Sequence, residues 1–430
     1  MQVLPSPDEL LSRLKKHRIN SAEVYSSGAT TLSVEYSGKT CKTKEISHDL
    51  GYGVRVLKNN KIGFSHTNIP QDFDKTAKAA VALSKISPKT SFSFEPKAKR
   101  YPTTHTFDPA VAELDPDMAF SAIEQILEGV GKKAEPTKVS ISLSRAKEEI
   151  ANTQDLSTSA EYTEVSLYVE AKKGNGLGFS LYSARNMPKN LEKFGAEAAG
   201  IANKMKSSKP IPTQELTVKF SPYMLSSFLN FLVFNFDGDN KRRGITKLKT
   251  DQSKFDSKFS LISDPLAAGD AACSFDGEGV PSKALPLIDR GKVKNFIYDR
   301  YTGALEGVKK EGSCQRTDYA SYPSPGITNL VIPAGRGGTK PEKYLEIISA
   351  HGLHTSDPVS GDFGVDVDIA LLHNKGKITP VSNVLLTGNI FNLFNSIKHL
   401  GKAQLVHGNL ISPEIWFSKV NIIGKTGEGK

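Results

Sequence analysis

The phrase Asn60-Lys61-Ile62-Gly63-Phe64-Ser65 recurs as Asn175-Gly176-Leu177-Gly178-Phe179-Ser180, each copy following a polar turn. The surroundings recur as well. Before the first copy come a helix and alternating segments, "AEVYSS", "TLSVEYS" and "GYGVRVLKNN"; after it comes a stretch with apolar residues at Phe73, Ala77, Ala80, Val81 and Leu83. Before the second come a helical stretch after Asp115-Pro116 and the alternating "KVSISLSR" and "EYTEVSLYVEAKK"; after it a helix runs from about Pro188 to Met205. Period-two alternation marks half-buried strands, and a spacing of three to four marks amphipathic helices. A repeated order of this kind points to a duplicated helix-plus-meander unit.

The boundaries follow from local chemistry. Residues 1–88 form the first unit, opened by a capping box in which Ser6 is N-cap, Pro7 the first helical residue and Glu9 the reciprocal partner. Asn59-Asn60 reads as a tight hairpin turn. Residues 89–110, rich in Pro, Ser, Thr and Lys, read as a linker, and 111–208 as the middle unit. After "KMKSSKPIPTQ", residues 214–430 form a larger strand-rich domain with turn signals at "SDPLAAGD", "DGEG", "DRGKV" and "NKGKI". Helices are expected there at 221–236, near 298–311, at 340–351 and at 388–399. The fold class is α+β, with antiparallel or mixed sheets and segregated helices.

The run Met224 to Phe236 is the most apolar segment. It is interrupted by Ser226, Ser227, Asn230 and Asn235 and falls short of the ~18–20 residues a bilayer span needs. It stops at Asp237-Gly238-Asp239-Asn240. Those oxygens suggest calcium, but Lys241-Arg242-Arg243 follow where a calcium loop needs further ligands, so a polar turn ending the helix is expected. The start of the chain lacks the order of a signal peptide, from which a cytoplasmic location is expected. Cys41, Cys273 and Cys314 are odd in number and scattered, which suits small buried thiols rather than disulfides or a zinc ribbon. The net charge of +10 lies in short clusters without interleaved aromatics, which argues against nucleic-acid binding. No glycine-rich phosphate loop follows a strand.

Catalytic constellations are sparse. His351 and His354 could share a helix face, but Gly352 between them signals a helix end, and a zinc site would need a third ligand. His373 sits at a strand end before a turn. Asp366 and Asp368, two apart on one strand face, fit either acid–base work or the solvated side of an edge strand.

Several phrases resemble the TldD/TldE (PmbA) family. They are "SDPLAAGDAACSFDGEGVPSKALPLIDRGKVKNFIYDRYTG", "SYPSPGITNLVIPAG", "DPVSGDFGVDVDIALLHNKGKITPVSNVLLTGNIFNLFNSI" and, near the start, "GVRVLKNNKIGFSHTN". The resemblance implies one of two roles. TldD-like chains carry an HExxxH helix holding a catalytic zinc; TldE-like chains lack it, and the two kinds assemble into a peptidase for unfolded or leader peptides. Aligned on Phe236-Asp237-Gly238-Asp239, the three active positions fall here on Leu229, Asn230 and Phe234, and no histidine occurs between His105 and His351. The resemblance therefore implies a non-catalytic TldE/PmbA-like subunit. It would have no cofactor of its own, zinc in a TldD-like partner and peptides as substrates, with homodimerisation in the partner's absence left open. Candidate peptide-cleft residues are Arg316, Asn329, Asp362 and Asn389; as purely structural groups, the asparagines would cap turns and the other two form internal ion pairs. Two other readings stand beside it. One is a peptide- or protein-binding modulator without hydrolysis, as a gyrase-modulator label for the family suggests. The other is a peptidase with a relocated site at His351, His354 and Asp362 or Asp366.

Overall fold

The computed structural model describes residues 5–16, 19, 21–308 and 313–424. Its first part is α1 (Pro7–Lys16), β1 (Ala22–Ser37), β2 (Thr40–Lys58), β3 (Lys61–Thr67) and α2 (Phe73–Ser84). After the short α3 (Pro109–Ala112) come α4 (Pro116–Val130), β4 (Glu135–Asn152), β5 (Ser157–Lys173), β6 (Gly176–Ala184) and α5 (Glu192–Met205). The capping box forms as expected: Ser6 N–H donates to Glu9 Oε2 at 2.9 Å and Glu9 N–H to Ser6 Oγ at 3.3 Å. Asn59 and Asn60 turn the β2–β3 hairpin with positive φ angles of 52° and 59°.

The two units are one sheet. Its order is β3-β2-β1-β4-β5-β6, with β1 and β4 joined antiparallel from Glu23↔Asn152 to Ser37↔Lys138. Alternation along β1 decides what each face meets. Val24, Leu32 and Val34 pack among residues of the helices, whereas Tyr25, on the opposite face, packs with Ile150 of β4 and with Phe275 of the third domain. The recurring phrase has a physical cause. A Cβ at Gly63 would overlap the Ala80 carbonyl of α2, and one at Gly178 would overlap the Ala198 carbonyl of α5. Each glycine lets the closing helix of its unit lie directly on the sheet.

The third domain holds β7 (Gln214–Phe220), α6 (Pro222–Val233), α7 (Gly238–Arg242), β8 (Leu261–Ser263), β9 (Leu285–Asp289), β10 (Lys292–Val293) and α8 (Arg300–Glu306). It continues with β11 (Cys314–Gln315), β12 (Ser324–Pro325), β13 (Leu330–Val331), β14 (Lys343–His351), β15 (Asp362–Asn374) and β16 (Lys377–Val381). Then come β17 (Val384–Asn389), α9 (Ile390–Phe394), β18 (Ile397–His407) and β19 (Leu410–Gly424). The main sheet runs β10-β9-β8-β13-β19-β17-β15-β14-β7, and β19 also pairs with β7. Strands β7, β14, β15, β17 and β19 thus close a ring. The α+β reading holds, with parallel pairs at β7–β14 and β13–β19 among mostly antiparallel ones.

Several expectations need correction. Residues 340–351 do not form a helix: Tyr344, Leu345, Ile347 and Ile348 mimic helical spacing, but pairing with β15 and β7 draws them into β14. His351 and His354 therefore share no helix face; His351 ends the strand and Gly352, at φ 98°, turns the chain into a 3-10 turn at Leu353–Thr355. The helix expected at 388–399 shrinks to α9, and β18 begins at Ile397. That near 298–311 is α8, with residues 309–311 outside the described residues. Asp237 ends the 3-10 turn Phe234–Phe236 that follows α6 and, beyond the expectation, also starts a helix. Its Oδ1 accepts from the N–H groups of Asp239 (2.7 Å) and Asn240 (3.1 Å), so it caps the start of α7. Strand β15 is not an edge, being paired with β14 on one side and with β16 and β17 on the other. Cys41 is exposed, whereas Cys314 is buried and Cys273 half-buried.

The segment 89–110 is packed rather than loose: Phe92 and Phe94 are buried edge-to-face at 5.1 Å, and the Arg55 guanidinium lies 5.2 and 5.5 Å from their ring centres. Arg55 also forms the centre of the junction between sheet and third domain. Its Nε and Nη2 donate to the two oxygens of Glu23 at 2.8 and 2.9 Å, and its Nη1 to Glu278 Oε1 at 2.8 Å. Arg316 pairs with the same Glu23, and Glu278 Oε2 accepts the Arg300 N–H at 2.8 Å. Burial alone would raise the Glu23 carboxyl, but the charges of Arg55 and Arg316 outweigh it and hold it below its ordinary value. Asp299, the cap of α8, lies beside this cluster; burial first, and then the Glu278 charge, push it up to about 6.

Gly63→Ala and Gly178→Ala should each destabilise the protein by at least about 1–3 kcal/mol in urea titrations. Gly200→Ala, on α5 with open space around it, should instead stabilise it by about 0.5–1 kcal/mol. Arg55→Met removes the cation that Glu23 and Glu278 share in the interior and should cost about 3–5 kcal/mol. Asp299 binds its proton more tightly folded than unfolded, so its contribution falls as pH rises from about 4 to about 6. Asp299→Asn, which keeps a capping oxygen, should therefore be more stable than the parent at pH 7, by up to about 3 kcal/mol, with the advantage vanishing near pH 4.

Candidate functional site

Helix α6 follows from a capped, apolar sequence: Ser221 Oγ accepts the Met224 N–H at 3.2 Å and Pro222 stands at the first position. Its inner face is core. Phe228 stacks on Phe220 at 4.8 Å and meets Phe363 edge-on at 4.9 Å, and Leu229 is wholly buried beside it. Asn230 is exposed and Phe234, in the 3-10 turn after the helix, is 38% exposed. Asn235 anchors that turn: its amide nitrogen donates to the Pro358 carbonyl at 2.7 Å and its oxygen accepts from Thr246 at 3.1 Å. Neither Leu229 nor Phe234 has a lone pair for a metal, so the residues present do not fit zinc at this helix. Among the described residues, no three His, Cys, Asp or Glu side chains stand close enough to hold a metal ion.

The four candidate cleft residues separate into two places. Asp362 and Asn389 lie at the β15–α9 end of the ring. Asn389 caps α9 through the Phe391 N–H at 3.1 Å and donates to Asp362 Oδ1 at 2.9 Å, so Asp362 makes a hydrogen bond there and not the internal ion pair that its structural reading supposed. Arg316 and Asn329 lie at the junction with the N-terminal sheet. Asn329 is wholly buried and clamps a loop, accepting from Ala271 N–H at 3.0 Å and donating to the carbonyls of Asp264 and Ala267 at 3.2 and 2.8 Å. Arg316 donates from Nε to the Gly277 carbonyl at 2.7 Å, pairs with Glu23 through Nη2, and stacks 4.4 Å over Tyr25.

A cavity of about 340 Å³ lies between that loop and the helix-free face of the sheet, and Arg316 and Ala271 both line it. Opposite them are Glu148, Tyr162 and Arg185, the last lying 5.0 Å over the Tyr162 ring. Burial raises the Glu148 carboxyl and sends the hydroxyls of Tyr25 and Tyr162 well above the ordinary tyrosine range. A second, larger cavity of about 910 Å³ opens between β5–β6 and β14–β15. It is lined by Asp366 and by an exposed pair in which His351 Nδ1 lies 2.7 Å from Asp368 Oδ1. His354 and Asp362 do not line it, so the residues of a relocated site are not gathered in one place. His373 lies apart, stacked on Tyr344 and bonded to Glu346 at 2.9 Å.

Sequence reasoning named Arg316, which lines the junction cavity, but did not name Glu23, Glu148, Tyr162 or Arg185. Their signal was the strand alternation that sets Glu23 and Tyr25 on one face, yet nothing local says that a second domain covers that face. Arg55 and Glu278 did stand in the quoted phrases "GVRVLKNN" and "FDGEG", where their pairing across the chain could not be read.

The comparisons with known proteins agree with this architecture. Residues 22–84 match domain 1 of the PmbA/TldA metallopeptidases and residues 213–424 match their C-terminal domain. An uncharacterized protein of Methanocaldococcus jannaschii is 24% identical over 397 residues, covering 90% of this chain and 92% of its own. A metalloprotease TldD homolog of Buchnera aphidicola is 24% identical, with 91% and 90% covered. The crystal structure of TldE from Thermococcus kodakarensis superposes with a TM-score of 0.88 at 20% identity, covering 97% of this chain and all of that one. A Thermotoga maritima protein described as a modulator of DNA gyrase also gives 0.88, at 19% identity, covering 96% and 98%. On the two matched domains and the phrases shared along the chain, the protein belongs to the TldD/PmbA metallopeptidase family.

Proposed function

We propose that this chain is the non-catalytic, TldE/PmbA-like subunit of a two-component zinc metallopeptidase acting on unfolded or leader peptides. One observation carries the reading: the segment that the family resemblance lays on the HExxxH metal helix has Leu229 and Asn230 on α6 and Phe234 in the 3-10 turn after it. An aliphatic side chain buried among phenylalanines and a carboxamide on the outside supply neither metal ligands nor a general base. Zinc then belongs to a TldD-like partner, and this chain contributes part of the substrate chamber, with Arg316, Asn329, Asp362 and Asn389 as candidate peptide contacts. A cytoplasmic site of action goes with this reading. Among the described residues no helix is long and apolar enough to cross a membrane.

The test is metal analysis and mixing. Purified without an affinity tag, the chain should carry less than about 0.1 zinc, since a site binding on the order of 10 kcal/mol would survive purification. It should leave an unfolded peptide intact by itself and form a stable complex that cleaves the peptide when an HExxxH-bearing relative from the same genome is added. Zinc near one per chain would overturn the reading and direct attention to His351 and His354. Tight target binding with no effect of the relative would favour a modulator without hydrolysis.

A further inference from the structure

We infer that the junction cavity between the N-terminal sheet and the third domain is a binding site for a single carboxylate, held by Arg316 and Arg185. The arginines supply the first argument. The side chain of Arg316 is only 1% exposed; Nε and Nη2 are spent on Gly277 and Glu23, which leaves Nη1 with no partner beside the cavity the side chain lines. Arg185 makes only long contacts, from Nη1 and Nη2 to the carbonyls of Thr163 and Ala272 at 3.3 and 3.4 Å, and its Nε is buried with no partner. One buried and one half-buried arginine, each with a buried nitrogen lacking a partner, thus line the same cavity, and an unsatisfied buried donor on a charged group costs more than a neutral one.

The second argument is size and charge. At about 340 Å³ the cavity lies at the small end of ligand pockets, sufficient for a carboxylate with a few attached atoms. Tyr25 and Tyr162, lying under the two guanidinium groups, supply apolar walls. Glu148 and Asp276 also border the space, so any anion there meets two acids as well as two arginines, and the doubly charged phosphate is repelled by the acids more strongly than a singly charged carboxylate. The Asp276 carboxylate is engaged by the N–H groups of Glu278 and Val280 at 2.9 and 3.1 Å. Glu148 is the group that opposes the ligand.

A carboxylate could come from a small acid or from the end of a peptide; the peptide source rests on the subunit reading above, the carboxylate preference does not. Calorimetry on the full chain alone, with no partner added, separates the two. The probes are acetate, N-acetyl-trialanine as the free acid, and the same peptide as its C-terminal amide. The free-acid peptide or acetate should bind, and the amide at least about tenfold more weakly than the acid, as expected for losing hydrogen bonds to a charged group. Acetate binding as well as the peptide identifies a small-acid site; binding of the acid peptide alone identifies a peptide terminus. Arg185→Gln should weaken the bound probe at least about tenfold. Glu148→Gln, which removes the opposing charge and keeps the shape, should tighten it. Equal binding of acid and amide, or no binding of any probe at about 10 mM, overturns the proposal. So does a folded Arg185→Gln chain, judged by an unchanged melting temperature, that binds as the parent does.

Discussion

The buried set Glu23, Arg55, Glu278 and Arg316 is the constraint on which the rest depends. Four charges have been taken out of water, drawn from β1, β2, the loop before β9 and β11–β12. Such a set is a poor source of net stability, because desolvation consumes most of the Coulomb gain. Its effect is geometric. Each carboxylate is correctly paired in only one placement of the helix-free sheet face against the third domain. The same set orders the segment around Phe92 and Phe94, which packs on the flat side of the Arg55 guanidinium. The junction cavity exists because the domains are held at this distance and no closer.

Much of the architecture could be read from residues that act on near neighbours. Ser6 and Glu9 cap a helix within one turn, Asn59 and Asn60 make a turn by themselves, and Gly63 and Gly178 mark where helices touch the sheet. What could not be read depends on distant partners. Tyr344 to Ile348 look helical in isolation and become a strand because β7 and β15 offer pairing on both sides. Segment 89–110 looks like a linker until Arg55 is seen beneath its phenylalanines. At the candidate site the same distinction holds. Leu229, Asn230 and Phe234 were named because the family resemblance runs along one contiguous stretch, whereas Glu148 and Arg185 come from separate segments of the middle unit and meet the third domain only in the folded chain.

Helix α6 shows how apolar packing alone can seat a helix in the ring. Phe228 between Phe220 and Phe363 gives the helix its place in the ring through apolar contact alone. No polar group on it needs a buried partner, apart from Asn235 in the turn beyond, which is satisfied by Pro358 and Thr246. The helix is held by this packing, with Leu229 buried and Asn230 exposed on its outer side.

The closure of the ring by β19 against β7 has a consequence for synthesis. Strand β7 leaves the ribosome before the other strands of its sheet, yet one of its pairing partners is made last among the described strands. The six-stranded sheet can assemble as soon as β6 appears, while β7 waits with an open edge and α6 with an uncovered apolar face. Long-range pairing of this kind is slow and exposes aggregation-prone surface in the interval. The nascent chain therefore passes through a state in which a finished first half, its buried arginine still lacking Glu278, precedes an unfinished second half.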